Sequence, residues 1–227
     1  MSISVTETNG IKAYNLTFGK TAPDFLQEAK KKKSSLRYNA DYRNRVELIQ
    51  NFGFETASTD LVLSPDHEYA VAAGIYKPSI KIYQFSELAQ KCSRGIDAEI
   101  IKLQMLSDDW RKVAMCCVDR TIEIHAQYGH HFKTRVPKCP RDMAFNPFTC
   151  DLLVSASSDE IYRLNLEEGR FLSNLKVSTP GINALQFNSK LNVLLAAGNS
   201  GVLNIIDYRM RELAGCLKIN KEQNITS

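Results

Sequence analysis

The sequence predicts an all-β chain built as an incomplete β-propeller, with a short helical insertion near its N-terminus. Three observations predict it. Four segments repeat one order of apolar strand, turn, apolar strand, turn and alternating strand. Their turn anchors Ser64, Ser107, Asn146 and Asn188 lie 43, 39 and 42 residues apart. The ends of their third strands, Tyr83, His125, Leu164 and Ile206, lie 42, 39 and 42 apart. Two independent landmarks thus give the period of a four-stranded blade.

The elements follow in chain order. Ile11-Lys12-Ala13-Tyr14 echoes Ile80-Lys81-Ile82-Tyr83, so residues 1–17 read as an N-terminal strand. Its companions are expected beyond residue 227, which would leave it no blade of its own. Residues 18–45 read as a basic helical insertion. Pro23 stands near its front, Asp24 and Glu28 fall early and Lys30–Lys33 late, an order that suits a helix and its dipole. Phe25, Leu26 and Ala29 share a face on which such a helix could dock against the propeller.

Residues 46–218 hold about four blades plus a stray strand, and 219–227 a tail. The second strands of the units are Tyr69–Ala73, Val113–Cys117, Leu152–Ala156 and Val193–Ala197. They are almost continuously apolar, as strands buried on both faces must be, and most end in small residues that suit close blade packing. The third strands alternate, Ile80 and Ile82 around Lys81 and Ile122 and Ile124 around Glu123, as expected nearer solvent. Gly74, Asp119, Asp159, Gly198 and Gly201 supply turns. A β-sandwich also has short strands at regular spacing but no higher-order repeat near forty residues.

The pattern is that of a WD40-type propeller with a degenerate signature. Where Trp-Asp would close the third strand stand Tyr83-Gln84, His125-Ala126, Leu164-Asn165 and Ile206-Asp207. Four units make an open arc. Residues 211–218 read as one further outer strand with nothing after it. The first and last blades should each present an apolar face, so the isolated chain is expected to be poorly soluble, to self-associate or to need a capping partner.

Composition excludes several classes. Hydrophobic residues make up 44% of the 227 and charged residues 24%, which suits a globular core. No stretch approaches the roughly 20 apolar residues of a membrane span, and Glu7 stands where a secretory signal needs apolar residues, so no membrane role is expected and synthesis should begin in the cytosol. The six scattered cysteines (92, 116, 117, 139, 150, 216) read as free buried thiols. The sequons at Asn15 and Asn224 are then chance matches.

The net charge of +4 is concentrated. Residues 20–45 carry eight cations against three acids, leaving the rest near −1. Lys30, Lys31, Lys32, Lys33, Arg37, Arg43 and Arg45 fit a nuclear import signal or phosphate binding, and equally a solvated helix end. Lys133, Arg135, Lys138 and Arg141 surround Pro137 and Pro140, so some should project from a loop toward a partner. The same four charges also fit pairing with acids of neighbouring blades.

No catalytic, cofactor or metal constellation emerges, and no small-molecule substrate is expected. Gly19-Lys20-Thr21 imitates the end of a P-loop, but Tyr14 stands where the motif needs its first glycine. His130 and His131 lie near Cys139 and Cys150 without metal-ligand spacing, and Cys116 and Cys117 point to opposite faces of a strand. Asp108 and Asp109 sit in a repeat turn, where Asp serves conformation.

Several blocks resemble the nucleolar protein 10 family, WD40 proteins of the small-subunit processome. They are Arg45–Phe52, Ala73–Pro78, Leu106–Trp110, Asp119–Glu123, Lys133–Lys138 with Arg141-Asp142, and Tyr162–Leu172. They run in the family's order from about residue 11 to 209, and the last is the most specific. Cys139-Pro140 departs from the family's usual aromatic followed by Gly. The resemblance implies a non-catalytic nucleolar scaffold in ribosomal RNA maturation, holding processome proteins and pre-ribosomal RNA. It also implies longer relatives, so this chain reads as a fragment, a short isoform or a truncated gene product. A generic WD40 adaptor, in ubiquitin ligation or a vesicle coat, is the alternative.

Overall fold

The structure is a computed structural model that describes residues 4–8, 11–15, 22–32, 35–43, 47–49, 53–86, 89–178 and 181–219. It contains four four-stranded antiparallel sheets and one three-stranded sheet. Strands β1 (Ser4–Thr8) and β2 (Ile11–Asn15) precede helix α1 (Ala22–Lys32), a 3-10 turn (Leu36–Tyr38) and a short helix α2 (Ala40–Arg43), after which β3 (Glu47–Ile49) pairs with β2.

The blades follow in sequence order, each a meander of four strands. Blade one comprises β4 (Ser58–Leu63), β5 (Tyr69–Gly74), β6 (Ser79–Gln84) and β7 (Ala89–Gly95). Blade two comprises β8 (Ile100–Met105), β9 (Val113–Cys117), β10 (Thr121–Ala126) and β11 (Gly129–Arg135). Blade three comprises β12 (Pro140–Asn146), β13 (Asp151–Ala156), β14 (Glu160–Asn165) and β15 (Arg170–Lys176). Blade four comprises β16 (Ile182–Asn188), β17 (Val193–Gly198), β18 (Val202–Asp207) and β19 (Glu212–Lys218). The first strands β4, β8, β12 and β16 pack side by side in that order, which makes them the inner strands of an open arc. The expected propeller is therefore present.

Apolar side chains fill the seams between blades. Val71, Ile80 and Ile82 of blade one meet Ile100, Leu103 and Met115 of blade two. Ile122 and Ile124 meet Leu152, Val154 and Leu164 across the next seam, and Leu153 and Ile161 meet Leu185, Leu194 and Ile206 across the last. The second strands β5, β9 and β13, apolar on both faces, are buried almost throughout, as strands packed on both sides must be.

A register shift recurs near the start of every inner strand, between Ser58 and Asp60, Ile100 and Lys102, Pro140 and Asp142, and Ile182 and Ala184. A bulge bends the strand and re-aims the side chains that follow it. It brings Asp60, Lys102, Asp142 and Ala184 to equivalent positions.

Two expectations need correction. Ile11–Asn15 does have companions, pairing with β1 on one side and β3 on the other. The short strand β3 was invisible as a partner because the helical insertion separates it from β2. Glu212–Lys218 is no stray strand but the outer strand of blade four. The far face of blade one is covered only in part: Ala70, Ala72 and Tyr83 are buried with Phe54 packed on them, but Leu61 and Leu63, the cross-strand partners of Ala72 and Ala70, are 60% and 47% exposed. Blade four keeps its open face: Leu195, Leu203 and Ile205 are half-buried there and Leu217 is 55% exposed.

Helix α1 buries Phe25, whose ring stands edge-on to Tyr42 of α2 at 5.7 Å. Leu26 is exposed, so the expected apolar face is not buried as a unit. All six cysteines are free; Cys116 and Cys117 are buried, Cys92 and Cys150 half-buried, and Cys139 and Cys216 exposed. Burial pushes the Cys117 thiol up to about 11, which makes it a poor nucleophile.

Candidate functional surfaces

Two groups of basic residues were expected to meet partners, and the fold treats their members differently. In the insertion, Lys30 and Lys31 are exposed on the last turns of α1, Arg37 on the 3-10 turn and Arg43 at the end of α2. Lys33, Arg45 and the side chain of Lys32 lie outside the described residues. The Ser35 hydroxyl caps the 3-10 turn by accepting the Arg37 N–H, and Asn39 caps α2 through Asp41 and Tyr42. Together with the Phe25–Tyr42 contact, these caps hold the cations on short, defined elements.

The second group is split by packing. Lys133 and Arg135 lie on the outer strand β11 and not in a loop, and Arg141 lies on the inner strand β12. Only Lys138 belongs to the connection between them. The Lys133 ammonium bonds to Glu123 Oε1 at 2.6 Å and Asp97 Oδ2 at 3.2 Å, which raises its pKa further. Glu123 is itself buried, so Lys133 serves to neutralise it. Arg141 donates through Nη1 to Asn183 and, at 3.5 Å, to Asn199, both in blade four. Gly181, at φ 74°, leaves room for this contact, because a Cβ there would meet Asn199 Nδ2 at 2.7 Å and Arg141 Nη1 at 3.7 Å. Arg135 and Lys138 are exposed with no hydrogen-bond partner among the described residues.

Arg120 was not anticipated. It sits at φ 68° in the turn before β10 and donates to the Pro137 carbonyl at 3.1 Å, beside Arg135 and Lys138. The surface cations of this region are thus Arg120, Arg135 and Lys138, with Asp119 nearby. The Asp119 carboxylate is committed to the Thr121 N–H and hydroxyl.

Two polar clasps join blades. On the inner strands, Asp60 accepts from the Leu103 N–H and Asp142 from the Leu185 N–H, each at 2.7 Å. Lys102 lies between them, 3.6 Å from Asp60 and 4.0 Å from Asp142. Burial raises the pKa of Asp142 despite the hydrogen bonds from Leu185 and Met143 and the nearby ammonium.

The second clasp is the buried group Asp151, Arg163 and Tyr208. Arg163, 2% exposed, bonds to Asp151 Oδ2 at 2.9 Å and to the Tyr208 hydroxyl at 3.1 Å. Tyr208 donates in turn to Asp151, and Asn165 reaches the other carboxylate oxygen at 2.9 Å. Burial alone would raise the Asp151 pKa, but hydrogen bonds from Tyr208, Arg163, Asn165 and Thr149 together hold it below the usual value. These carboxylates hold blades together.

The seam between blades two and three contains a cavity of about 640 Å³, with Leu106, Ile124, Phe132, Phe145 and Leu166 among its walls. Among the described residues, no group of three His, Cys, Asp or Glu side chains could hold a metal ion, and no helix is long and apolar enough to cross a membrane.

Comparison with known proteins gives a consistent picture. The family model described as nucleolar protein 10-like, N-terminal domain, matches residues 4–227. The ribosome biogenesis protein ENP2 of Saccharomyces cerevisiae is 41% identical over 229 aligned residues, covering 99% of this chain and 32% of that protein. Nucleolar protein 10 of Xenopus tropicalis is 38% identical and that of Homo sapiens 36%, each covering 95% of this chain and 31% of its own. The chain therefore spans about a third of the length of these relatives. Among solved structures, the WD40 repeats of RRP9 and the structure of U3-55K each align with a TM-score of 0.66 at 17% identity. Each alignment covers 77% of this chain; it covers 54% of the RRP9 chain and 55% of the U3-55K chain. That likeness concerns the fold.

Proposed function

The chain belongs to the nucleolar protein 10-like family, and on that premise we propose that it acts as a non-catalytic WD40 scaffold in ribosome biogenesis. In this reading it resides in the nucleolus and supports small-subunit pre-rRNA processing and processome assembly. The observation that carries the reading is the family match over residues 4–227, together with relatives at 36–41% identity named for the nucleolus and for ribosome biogenesis.

The architecture agrees with a binding role. Among the buried polar groups, Asp142, Asp151, Arg163 and Tyr208 are used up in clasps between blades. The partners are processome proteins and pre-ribosomal RNA. The cations proposed to meet them are Lys30, Lys31, Lys32, Lys33, Arg37, Arg43 and Arg45 in the insertion, and Arg135 and Lys138, joined by Arg120, on the blades. Lys133 and Arg141 act instead through the fold, by neutralising Glu123 and linking blades three and four.

The deciding experiment is sedimentation of the tagged chain with pre-ribosomal particles. Co-migration with small-subunit precursors is expected. A tagged chain that stays at the top of the gradient, or follows a ubiquitin ligase or coat complex, would falsify the assignment.

A further inference from the structure

The chain's own repeats show how a seam between blades is filled, and one seam lacks its filling. Between blades one and two, Trp110 reaches back from the turn after β8 and is 9% exposed. Its ring lies 6.3 Å from that of Tyr69, with the Lys91 ammonium 5.2 Å and the Arg94 guanidinium 5.8 Å from its centre. Between blades three and four the space is taken by Tyr208, edge-on to Phe187 at 5.7 Å and bonded to Arg163.

The registers place the corresponding positions of the middle seam. Tyr69 precedes Ala70, which pairs with Tyr83, as Lys112 precedes Val113, which pairs with His125. Lys91 is the extra residue opposite Ile82 and Tyr83, as His131 is opposite Ile124 and His125. Lys112 and His131 both line the 640 Å³ cavity. The turn that should supply the plug, Pro147 to Cys150, places only Cys150 on the cavity wall; its Thr149 hydroxyl donates to Asp151 Oδ2 at 3.0 Å, and its Phe148 is 71% exposed. The middle seam thus has the walls of the Trp110 slot without the indole. Its volume falls in the range of about 300–1,000 Å³ common for ligand sites.

We propose that this cleft receives an aromatic side chain, flanked by a basic residue, from a linear segment of a partner protein. The apolar walls fit the ring, and a large aromatic buries roughly 150–250 Å² in such a slot. The charge of the mouth selects the neighbour. Glu167 and Glu168 face a single lysine, Lys112, and the Asn165 side chain fixes their turn by accepting both backbone N–H groups, at 3.0 and 2.8 Å. Glu168 is already paired with Arg170, so Glu167, beside the Cys150 thiol, takes the partner's cation. The inference rests on the scaffold reading only in taking the occupant to be a protein.

The test is to pan a random-peptide phage library on the full chain and measure the selected peptides as synthetic, fluorescently labelled segments. Peptides with an aromatic residue next to Arg or Lys should be enriched. Replacing the aromatic by Ala in the peptide, or Ala126→Trp on the cavity wall of the protein, should weaken binding at least about tenfold, while Ala126→Trp leaves the melting temperature unchanged or higher. Glu167→Gln should weaken only peptides that carry the cation. No enrichment, an acidic or purely polar consensus, or equal binding to the Ala126→Trp chain overturns the proposal. So does a loss of stability in Phe148→Ala, which would show that Phe148 fills the cleft itself. Sedimentation with pre-ribosomal particles is read separately: failure of the unmodified chain there overturns the scaffold reading, whatever the peptides do.

Discussion

The carboxylate of Asp142 accepts the backbone N–H of Leu185 at 2.7 Å and so ties the inner strand of blade three to that of blade four. Asp60 makes the same bond to Leu103 two seams earlier in the repeat, again to a residue 43 positions downstream in sequence. The clasp occurs at alternate inner strands, because the position between holds Lys102 and the one after holds Ala184.

Asp142→Ala should destabilise the chain by about 1–3 kcal/mol, because the Leu185 and Met143 N–H groups lose a buried acceptor. Asp142→Asn keeps an acceptor oxygen and should cost less. Because burial raises the Asp142 pKa, its protonation in the folded state favours folding at low pH, and that contribution is lost as pH rises through the folded pKa. Asp142→Asn should therefore flatten the fall in stability above about pH 4. Denaturant melts across pH measure both effects; equal costs for Ala and Asn would rule out the clasp.

Arg163→Leu should cost about 3–5 kcal/mol at pH 7, since it strands the Asp151 carboxylate in the seam. The sign of the pH dependence is opposite to that of Asp142. The Asp151 pKa is lowered in the folded chain, so its contribution is present above the unfolded value near 3.8 and disappears as pH falls through the folded value. The gap between the native and Arg163→Leu chains should narrow below about pH 4. A gap that stays constant to pH 2 would mean that Arg163 acts through packing alone.

Charge reversal should separate the cations of residues 133–141 by role. Lys133→Met leaves Glu123 buried without its ammonium and should lower the melting temperature, as should Arg141→Glu, which removes the bonds to Asn183 and Asn199. Arg135→Glu with Lys138→Glu should leave melting unchanged and reduce recovery in pre-ribosomal particles. The opposite pattern, with stability lost only in the second pair, would assign those two to the fold.

Replacing Lys30, Lys31, Lys32 and Lys33 by Glu should weaken nucleolar accumulation and salt-dependent RNA retention. The fold should survive, because Lys30 and Lys31 are exposed and α1 is anchored by Phe25 on Tyr42. Imaging of the tagged variant, with circular dichroism as the folding control, decides this; normal accumulation with unchanged RNA retention rejects the role.

The repeat was legible in the sequence because a propeller blade is local. Its strands pair with their chain neighbours, so apolar runs such as Val113–Cys117 and the turns at Ser64, Ser107, Asn146 and Asn188 carry the period directly. The exposure of Lys30 and Lys31 followed from charge pattern for the same reason. Contacts between blades join residues about forty apart, and those only the tertiary structure decided. Arg163 stands in an alternating strand where a cation ordinarily meets solvent, yet it is buried because Tyr208, 45 residues on, and Asp151 supply its bonds. Lys133 and Arg141 looked alike in sequence to Arg135 and Lys138; Lys133 differs because Glu123 is its cross-strand partner in the same blade, and Arg141 because Asn183 and Asn199 of blade four stand opposite it. Pairing of Glu47–Ile49 with Ile11–Asn15 was hidden by the insertion between them. Local pairing writes itself into a strand's own pattern; packing across a seam depends on which side chain the neighbouring blade presents.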